Sequence, residues 1–263
     1  MSEPLIEGSS KKFFAHGDGT LLMTFKDDIH GADQTDVISG TGDLRKRFSF
    51  AFYRLLEQHG ISTHLAKPVE NALSGRGIVV TRAFPIRIEI LVRNVARGYW
   101  VDGHKVPVFP AGAIFEEPIV ELCLKAKVMR EDGSVVDDPR ISPGIAVAMN
   151  ALATDKTIRG HMLLNVAEAN ALETLAREIN DLYAAFLRVE GWALEDFKFE
   201  VGLDSERLGR SFMVIDEISP DCSRIRDADG NSLSKDLFRQ RRPHEDVRAA
   251  YLLLTEAVER AVA

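Results

Sequence analysis

Apolar and polar positions alternate along residues 196–203, a pattern that predicts a β-strand. Successive side chains of a strand point to opposite faces of a sheet, so this run has an apolar and a polar face. The apolar face comprises Phe197, Phe199 and Val201, and the polar face comprises Lys198, Glu200 and Gly202. A second apolar run at 212–215 ends in Asp216 and Glu217 and follows the glycine-containing segment 205–210. Together they predict an antiparallel hairpin with acidic residues at one end.

Hydrophobic periodicity also predicts the remaining elements. Helices are predicted at 44–59, 148–154, 163–189 and 245–262, and strands at 12–14, 21–25, 78–80 and 84–94. Residues 130–136 form a predicted hairpin turn. Gly60 and Gly191 follow two of the helices as stop signals.

If the two strands of the C-terminal hairpin pair, Glu200 and Asp216 come close enough to hold one divalent ion. Oxygen-only ligands suit Mg²⁺, which takes one or two carboxylates and fills its other positions with waters and phosphates. Lys198 shares the polar face and can meet a phosphate. The alternative is a simple solvated strand face, which spacing alone favours. The run DEISPD at 216–221, followed by Arg224, favours a site, because placing these polar groups at a strand end costs desolvation without a packing gain.

Composition narrows the classes of protein. The chain has 263 residues with 45% hydrophobic and 28% charged residues, which is typical of a globular protein. A net charge of −7 disfavours binding to nucleic acid or to acidic membranes. Cys123 and Cys222 are far apart and have no metal-binding spacing, so reduced thiols are expected. With no apolar signal core and no run near the roughly 18 residues of a membrane span, we expect a soluble, cytoplasmic protein.

Several segments carry a resemblance to a known family. DFKFEVGLD at 196–204, IDEISPDCSRIRD at 215–227 and SLSKDLFRQ at 232–240 resemble the DFKLEFG, DEISPD, SRLWD and LDKDRFR motifs of SAICAR synthetases (phosphoribosylaminoimidazole-succinocarboxamide synthases). IEILVRN at 88–94 resembles the family's LEVVVRN. The resemblance implies an α+β fold of two lobes with ATP between them. Residues 1–85 would form an antiparallel, β-rich nucleotide-binding lobe, and 86–263 a larger lobe with the metal and substrate site.

The resemblance also implies an ATP- and Mg²⁺-dependent ligase of purine biosynthesis. A ribotide carboxylate attacks the γ-phosphate of ATP to give an acyl phosphate, and the amine of aspartate then displaces phosphate to give an amide. Such a reaction depends on charge neutralisation and positioning. The family is often homo-oligomeric, which makes a homo-oligomer the expectation here.

The carried-over site residues fall into three groups. Glu200, Asp216 and Lys198 are the expected catalytic residues, and the two carboxylates are the expected Mg²⁺ ligands. Nucleotide binding is expected from Lys11, Lys198 and Glu89, and substrate binding from Arg93, Tyr99, Lys125, Ser219, Asp221 and Arg224. Arg93 and Arg224 would hold the ribotide phosphate, since a guanidinium fork suits phosphate oxygens. Without the resemblance, a salt-bridged strand-end arginine is the better interpretation of Arg93.

Some motif positions depart from the family. Ser9 stands in place of a lysine, Tyr99 in place of a serine within ARGY instead of AAGS, Lys127 in place of an acidic residue, and Arg226 in place of a tryptophan. These changes favour an alternative: a divergent paralogue that uses another carboxylate or amine, as in nucleoside-like natural-product synthesis. A second alternative is a non-catalytic, nucleotide-binding regulator with this fold.

Overall fold

The computed structural model of the protein describes most of the chain. The described residues are 3–31, 34–98, 101, 108–125, 127–129, 133, 135–141, 166–204 and 211–263. The strands are β1 (Ile6–Glu7), β2 (Lys11–Gly17), β3 (Thr20–Phe25), β4 (Asp28–Gly31), β5 (Gln34–Val37), β6 (Ile78–Thr81), β7 (Phe84–Val95), β8 (Ile114–Leu124), β9 (Lys127–Met129), β10 (Val135–Asp137), β11 (Arg140–Ile141), β12 (Ala193–Leu203), β13 (Phe212–Ile215) and β14 (Ser223–Arg226). The α-helices are α1 (Thr41–Gln58), α2 (Val166–Val189), α3 (Asp236–Arg239) and α4 (His244–Ala261), and 3₁₀ turns occupy Val69–Asn71 and Pro220–Cys222.

The N-terminal strands form an antiparallel sheet in the order β1-β2-β3-β6. The turn between β2 and β3 contains Gly19, whose φ of 71° suits glycine. Gly77 precedes β6, and a Cβ atom there would lie 2.3 Å from the carbonyl oxygen of Met23. Only glycine therefore allows β6 to pack this closely. β4 and β5 form a separate antiparallel pair.

The larger sheet has the order β11-β8-β7-β12-β13, and β14 also pairs with β12. Its pairs are antiparallel. The face that contains Ile90, Leu122 and Phe199 is buried. Tyr183 of α2 meets Phe197 on this face, with ring centroids 5.4 Å apart. Because α2 covers the apolar face, the opposite face is left for polar side chains.

Helix α1 begins where a distant side chain satisfies its first amides. The carboxylate of Asp27 accepts hydrogen bonds from the amides of Gly40 and Gly42 at 3.0 and 2.8 Å. This caps donors that the helix cannot satisfy itself. α4 packs along α1, and Thr255 of α4 donates a hydrogen bond to the carbonyl of Leu44 at 3.2 Å.

The helices and strands that were predicted on described residues agree with the structure. The helices predicted at 44–59 and 245–262 are α1 and α4, and the hairpin of β12 and β13 has the predicted apolar and polar faces. The helix predicted at 148–154 lies outside the described residues.

The α+β class is confirmed, whereas the lobe boundary between residues 85 and 86 stays a prediction. One buried cluster includes Met23 and Val80 before that boundary and Ile90 and Phe199 after it. In the described part of the chain, no helix is long and apolar enough to cross a membrane.

Candidate active site

The polar face of the larger sheet carries charged side chains in register across neighbouring strands. Glu89 of β7 lies opposite Glu200 of β12. Two residues further along each strand Leu91 lies opposite Lys198, and two further again Arg93 lies opposite Asp196. A strand rises about 3.3 Å per residue, so the first and last of these rows are separated by roughly 13 Å. The face therefore forms a charged track with two distinct ends.

At one end, Lys11 joins the N-terminal sheet to the acidic end of β13. Its Nζ atom lies 2.7 Å from Asp216 Oδ2 and 2.8 Å from Glu217 Oε1. Burial alone would lower the pKa of Lys11, but the charges of these two carboxylates raise it above its usual value. Lys11 is therefore a fixed cation. Burial would raise the pKa of Glu217, but Lys11 and Arg45 lower it to about 2.

Asp216 has a backbone conformation that is unusual for a residue other than glycine. Its φ is 66°, in the left-handed region. The buried hydroxyl of Tyr53 donates a hydrogen bond to its carbonyl oxygen. Because this contact fixes the carbonyl towards the core, the carboxylate is left to face Lys11.

Glu200 lies beside Asp216, since its strand partner is Ile215. Burial raises the pKa of Glu200, and the charge of Asp216 raises it further, although Lys125 contacts the Glu200 carboxylate and acts in the opposite direction. The structure thus brings together both predicted metal ligands. Burial and the neighbouring carboxylate therefore both favour the protonated form of Glu200, and the two lysines act against them.

This donor set fits the predicted Mg²⁺. Among the described residues, no three His, Cys, Asp or Glu side chains are grouped so that they could hold a metal ion. Mg²⁺ requires fewer protein ligands than three, because one or two carboxylates suffice when phosphates and waters supply the remaining oxygens. Glu217 shares Lys11 with Asp216 through Oε1, and its other oxygen, Oε2, is buried and has no hydrogen-bond partner among these residues.

Lys198 lies in the middle row of the track. Its Nζ atom donates to Glu89 Oε2 at 2.7 Å. Burial alone would lower the pKa of Lys198, but Glu89 raises it above its usual value. The structure therefore places Lys198 and Glu89, both predicted to bind the nucleotide, in one ion pair that links the middle row to the acidic end.

At the other end, Arg93 and Arg224 share one carboxylate. Arg93 Nη1 and Arg224 Nη1 lie 3.1 and 2.6 Å from Asp196 Oδ2. Arg93 also contacts Glu121 at 2.6 Å, and Arg224 contacts Asp236 at 3.3 Å. Burial raises the pKa of Asp196 despite both arginines. The structure thus brings together the two arginines predicted to hold the ribotide phosphate, and that role stays a prediction.

Ser219 and Asp221 are buried and bonded within the protein. The Ser219 hydroxyl accepts the amide of Asp221 at 3.2 Å and so caps the 3₁₀ turn. The Asp221 carboxylate contacts Arg45 at 3.3 Å and Lys235 at 3.5 Å, and it accepts a hydrogen bond from the Tyr251 hydroxyl. These contacts stabilise the 3₁₀ turn and its packing against α1 and α4. Substrate binding by Ser219 and Asp221 stays a prediction.

Two of the positions that depart from the family motifs cannot be compared in the structure. Tyr99 lies outside the described residues, and so does the side chain of Lys127. Ser9 is exposed near Lys11 in the chain.

Sequence reasoning missed the roles of several buried charged residues. These are Arg45, Glu121, Glu195, Glu217 and Asp236. Glu217 had a signal, because it follows Asp216 directly at the strand end. Arg45, Glu121 and Glu195 meet partners far away in the sequence. Asp236 pairs with Arg239 on its own helix, but its contacts with Arg224 and Arg226 are not indicated by a local pattern.

The fold and site define an α+β protein whose larger antiparallel sheet carries a track of paired charged side chains on one face. A family model described as SAICAR synthetase matches residues 4–251. The phosphoribosylaminoimidazole-succinocarboxamide synthase of Sulfurisphaera tokodaii is 31% identical over 254 residues, which are 94% of each chain.

Solved structures agree with this match. The crystal structure of the synthase of that name from Ehrlichia chaffeensis has a TM-score of 0.79 at 25% identity, over 97% of this chain and 98% of that chain. A SAICAR synthetase in complex with ADP has a TM-score of 0.76 at 30% identity, over 96% of both chains. The chain belongs to the SAICAR synthetase family, which confirms the resemblance and, at the level of the family, the prediction of a carbon–nitrogen ligase.

Proposed function

We propose that the protein joins a ribotide carboxylate to the amine of an amino acid, with ATP and Mg²⁺, as in purine biosynthesis. The proposed acid is the carboxylated aminoimidazole ribotide and the proposed amine is aspartate. The observation that carries the proposal is the charged track, with an arginine pair at one end and paired carboxylates beside a fixed lysine at the other. A substrate with a phosphate and a carboxylate at opposite ends matches such a track.

The proposed chemistry has two steps. A carboxylate oxygen of the ribotide attacks the γ-phosphorus of ATP, the bond to the β–γ bridging oxygen breaks, and ADP leaves with that electron pair. The amine then attacks the acyl carbon, the carbon–oxygen bond to the phosphoryl group breaks, and inorganic phosphate and a proton are released. Activation is needed because a carboxylate is otherwise a poor acyl donor.

The residues of the track divide this work. Arg93 and Arg224 hold the ribotide phosphate and so position the distant carboxylate. Lys11 and Lys198 offset phosphate charge during transfer. Glu200 and Asp216 hold Mg²⁺, which would neutralise phosphate oxygens when bound. Lys125 contacts Glu200 and is proposed to meet the substrate at the same place.

A divergent substrate is the second candidate function. It is favoured by Arg97 and Arg226, which both contact Glu195 beside the proposed phosphate site. This charge network occupies positions where the resembled motifs have alanine and tryptophan. Under this alternative the two chemical steps are the same, and the acid or the amine differs.

The test is ADP release by the purified protein with ATP, Mg²⁺, carboxylated aminoimidazole ribotide and aspartate, with the product identified by mass. The succinocarboxamide is the expected product. ATP binding without product would overturn the standard substrate pair and favour the divergent enzyme, after which acid and amine are varied separately. If ATP and Mg²⁺ raise the melting temperature but no ADP forms with any acid and amine, the protein would instead be the non-catalytic, nucleotide-binding regulator.

A cytoplasmic location and a homo-oligomeric assembly complete the proposal. The family membership supports both, and sedimentation of the purified protein tests the assembly. A monomer at micromolar concentration would contradict the proposed homo-oligomer.

A further inference from the structure

Two successive carboxylates of β12 each join a pair of arginines. The register between β12 and β14 shifts between Leu194 and Asp196. Such a bulge inserts one extra residue and re-aims side chains. Glu195 and Asp196 are 4% and 3% exposed, and both contact arginines from β14 and from the end of β7 or just beyond it. The bulge thus duplicates, one residue away, the arrangement proposed to hold a phosphate.

The second pair consists of Arg97 and Arg226. Arg97 Nε and Nη2 donate to Glu195 Oε1 at 3.0 and 2.8 Å. Arg226 Nε lies 3.1 Å from Glu195 Oε2, an ion pair in which neither atom has hydrogen-bond geometry with a described partner. Glu195 therefore balances charge from both arginines and ties the residues after β7 to β14.

The two pairs are connected through the backbone. Arg93 Nη1 donates a hydrogen bond to the carbonyl oxygen of Arg97 at 3.2 Å. A continuous path of contacts thus leads from Arg226 through Glu195 and Arg97 to Arg93, which is one of the two proposed phosphate ligands. Moving Arg97 would remove an acceptor that orients the Arg93 guanidinium.

Gly98, which follows Arg97 in the chain, lies beside both arginines of the first pair. Its φ is 58°, and a Cβ atom there would lie 3.7 Å from Arg224 Nη2 and 3.9 Å from Arg93 Nη1. The Gly98 backbone therefore lies against both guanidinium groups. Because Arg97 is its chain neighbour, the Arg97–Glu195 contact sets how closely this backbone approaches the arginine pair.

We propose that Arg97, Glu195 and Arg226 are positioning residues that set the affinity for a phosphate monoester held by Arg93 and Arg224. The inference rests on the phosphate subsite of the proposed function. It assigns the second arginine pair to orienting the first pair and the Gly98 backbone, and not to binding the anion directly.

The test measures binding of ribose 5-phosphate and of ribose by calorimetry to the wild-type protein, Arg97→Ala and Glu195→Gln. These substitutions change the net charge in opposite directions. If Arg97 and Glu195 act as positioning residues, both substitutions should weaken ribose 5-phosphate binding by about tenfold. This is the scale of one hydrogen bond to a charged group. The signal from ribose should be the same for all three proteins.

Simple electrostatic attraction predicts a different result. If Arg97 and Arg226 bound the anion directly, Glu195→Gln would tighten binding by removing a competing negative charge. Tighter or unchanged binding by Glu195→Gln would overturn the inference, and so would unchanged binding by Arg97→Ala. Arg97 is partly exposed, so its substitution is expected to leave a folded protein, and melting temperatures check this.

Two controls separate the inference from its foundation. Arg188→Ala removes an exposed arginine of α2 and should bind ribose 5-phosphate as the wild type does. Wild-type protein that fails to bind ribose 5-phosphate would remove the phosphate subsite, and with it both the proposed substrate and this inference. Wild-type binding that survives Arg97→Ala and Glu195→Gln unchanged would overturn this inference alone.

Discussion

His64 should make the stability of the protein depend on pH below neutrality. Its side chain is 4% exposed, and its Nε2 atom has no hydrogen-bond partner among the described residues. The ring packs edge-on against Tyr53, with centroids 5.2 Å apart. Burial lowers the pKa of His64 from 6.5 to about 4, and the charge of Lys11 lowers it as well, although Asp216 acts in the opposite direction.

The sign and size of this pH dependence follow from the difference between the His64 pKa values of the folded and unfolded states. The unfolded state binds the proton with a pKa of 6.5 and the folded state with a pKa of about 4, so stability is full above 6.5 and is lost as pH falls towards 4. The full loss is about 3 kcal/mol, since one pKa unit corresponds to about 1.4 kcal/mol. Between about pH 7.5 and pH 5 the expected loss is about 2 kcal/mol.

The assay is urea unfolding at several pH values for the wild type and His64→Gln. His64→Gln removes the titrating group, so its free energy of unfolding should fall about 2 kcal/mol less than that of the wild type over this range. Glu217 also loses stability in acid, but with a folded pKa of about 2 it acts mainly below pH 5. His59→Gln, at an exposed position, is the matched control. Equal pH dependence in the wild type and His64→Gln would refute the assigned burial effect.

Three further substitutions test other parts of the account. Asp216→Asn should lower turnover by at least about 100-fold, because it removes the charge of a proposed Mg²⁺ ligand, and should change the melting temperature little, because Glu217 still pairs with Lys11; unchanged ADP release would exclude Asp216 from the site. Tyr53→Phe should lower the free energy of unfolding by about 1–3 kcal/mol in urea titrations, because it leaves the Asp216 carbonyl without the phenol donor; a fully stable Tyr53→Phe variant would show that this hydrogen bond is unimportant. Gly77→Ala should lower the melting temperature markedly, since its Cβ would lie 2.3 Å from the Met23 carbonyl, and a wild-type melting curve would contradict the close approach of β6.

The polar face of β12 could be predicted because strand periodicity is local. Alternation alone places Lys198 and Glu200 together on one face, and the strand ending in Asp216 indicates the acidic end. Helix α1 illustrates the limit of such reasoning. Its predicted start was Leu44, but the structure begins it at Thr41, because Asp27 caps it from outside the helix.

The long-range contacts could not be predicted in this way. The Lys11 contacts with Asp216 and Glu217 join residues more than 200 positions apart. The bulge at Glu195 interrupts the alternation that makes strands recognisable, so its side chain could not be assigned to a face from the pattern. Family resemblance suggested residues at both ends of the track, but the contacts among Arg97, Glu195 and Arg226 needed the structure.

The most direct test of the central claim is oxygen transfer from the acid to phosphate. Both oxygens of the ribotide carboxylate are labelled with ¹⁸O, the acid is turned over with ATP, Mg²⁺ and aspartate, and the inorganic phosphate is analysed by mass. An acyl phosphate predicts one labelled oxygen in each phosphate released together with the amide. Amide formation with unlabelled phosphate would contradict activation of the carboxylate by phosphorylation.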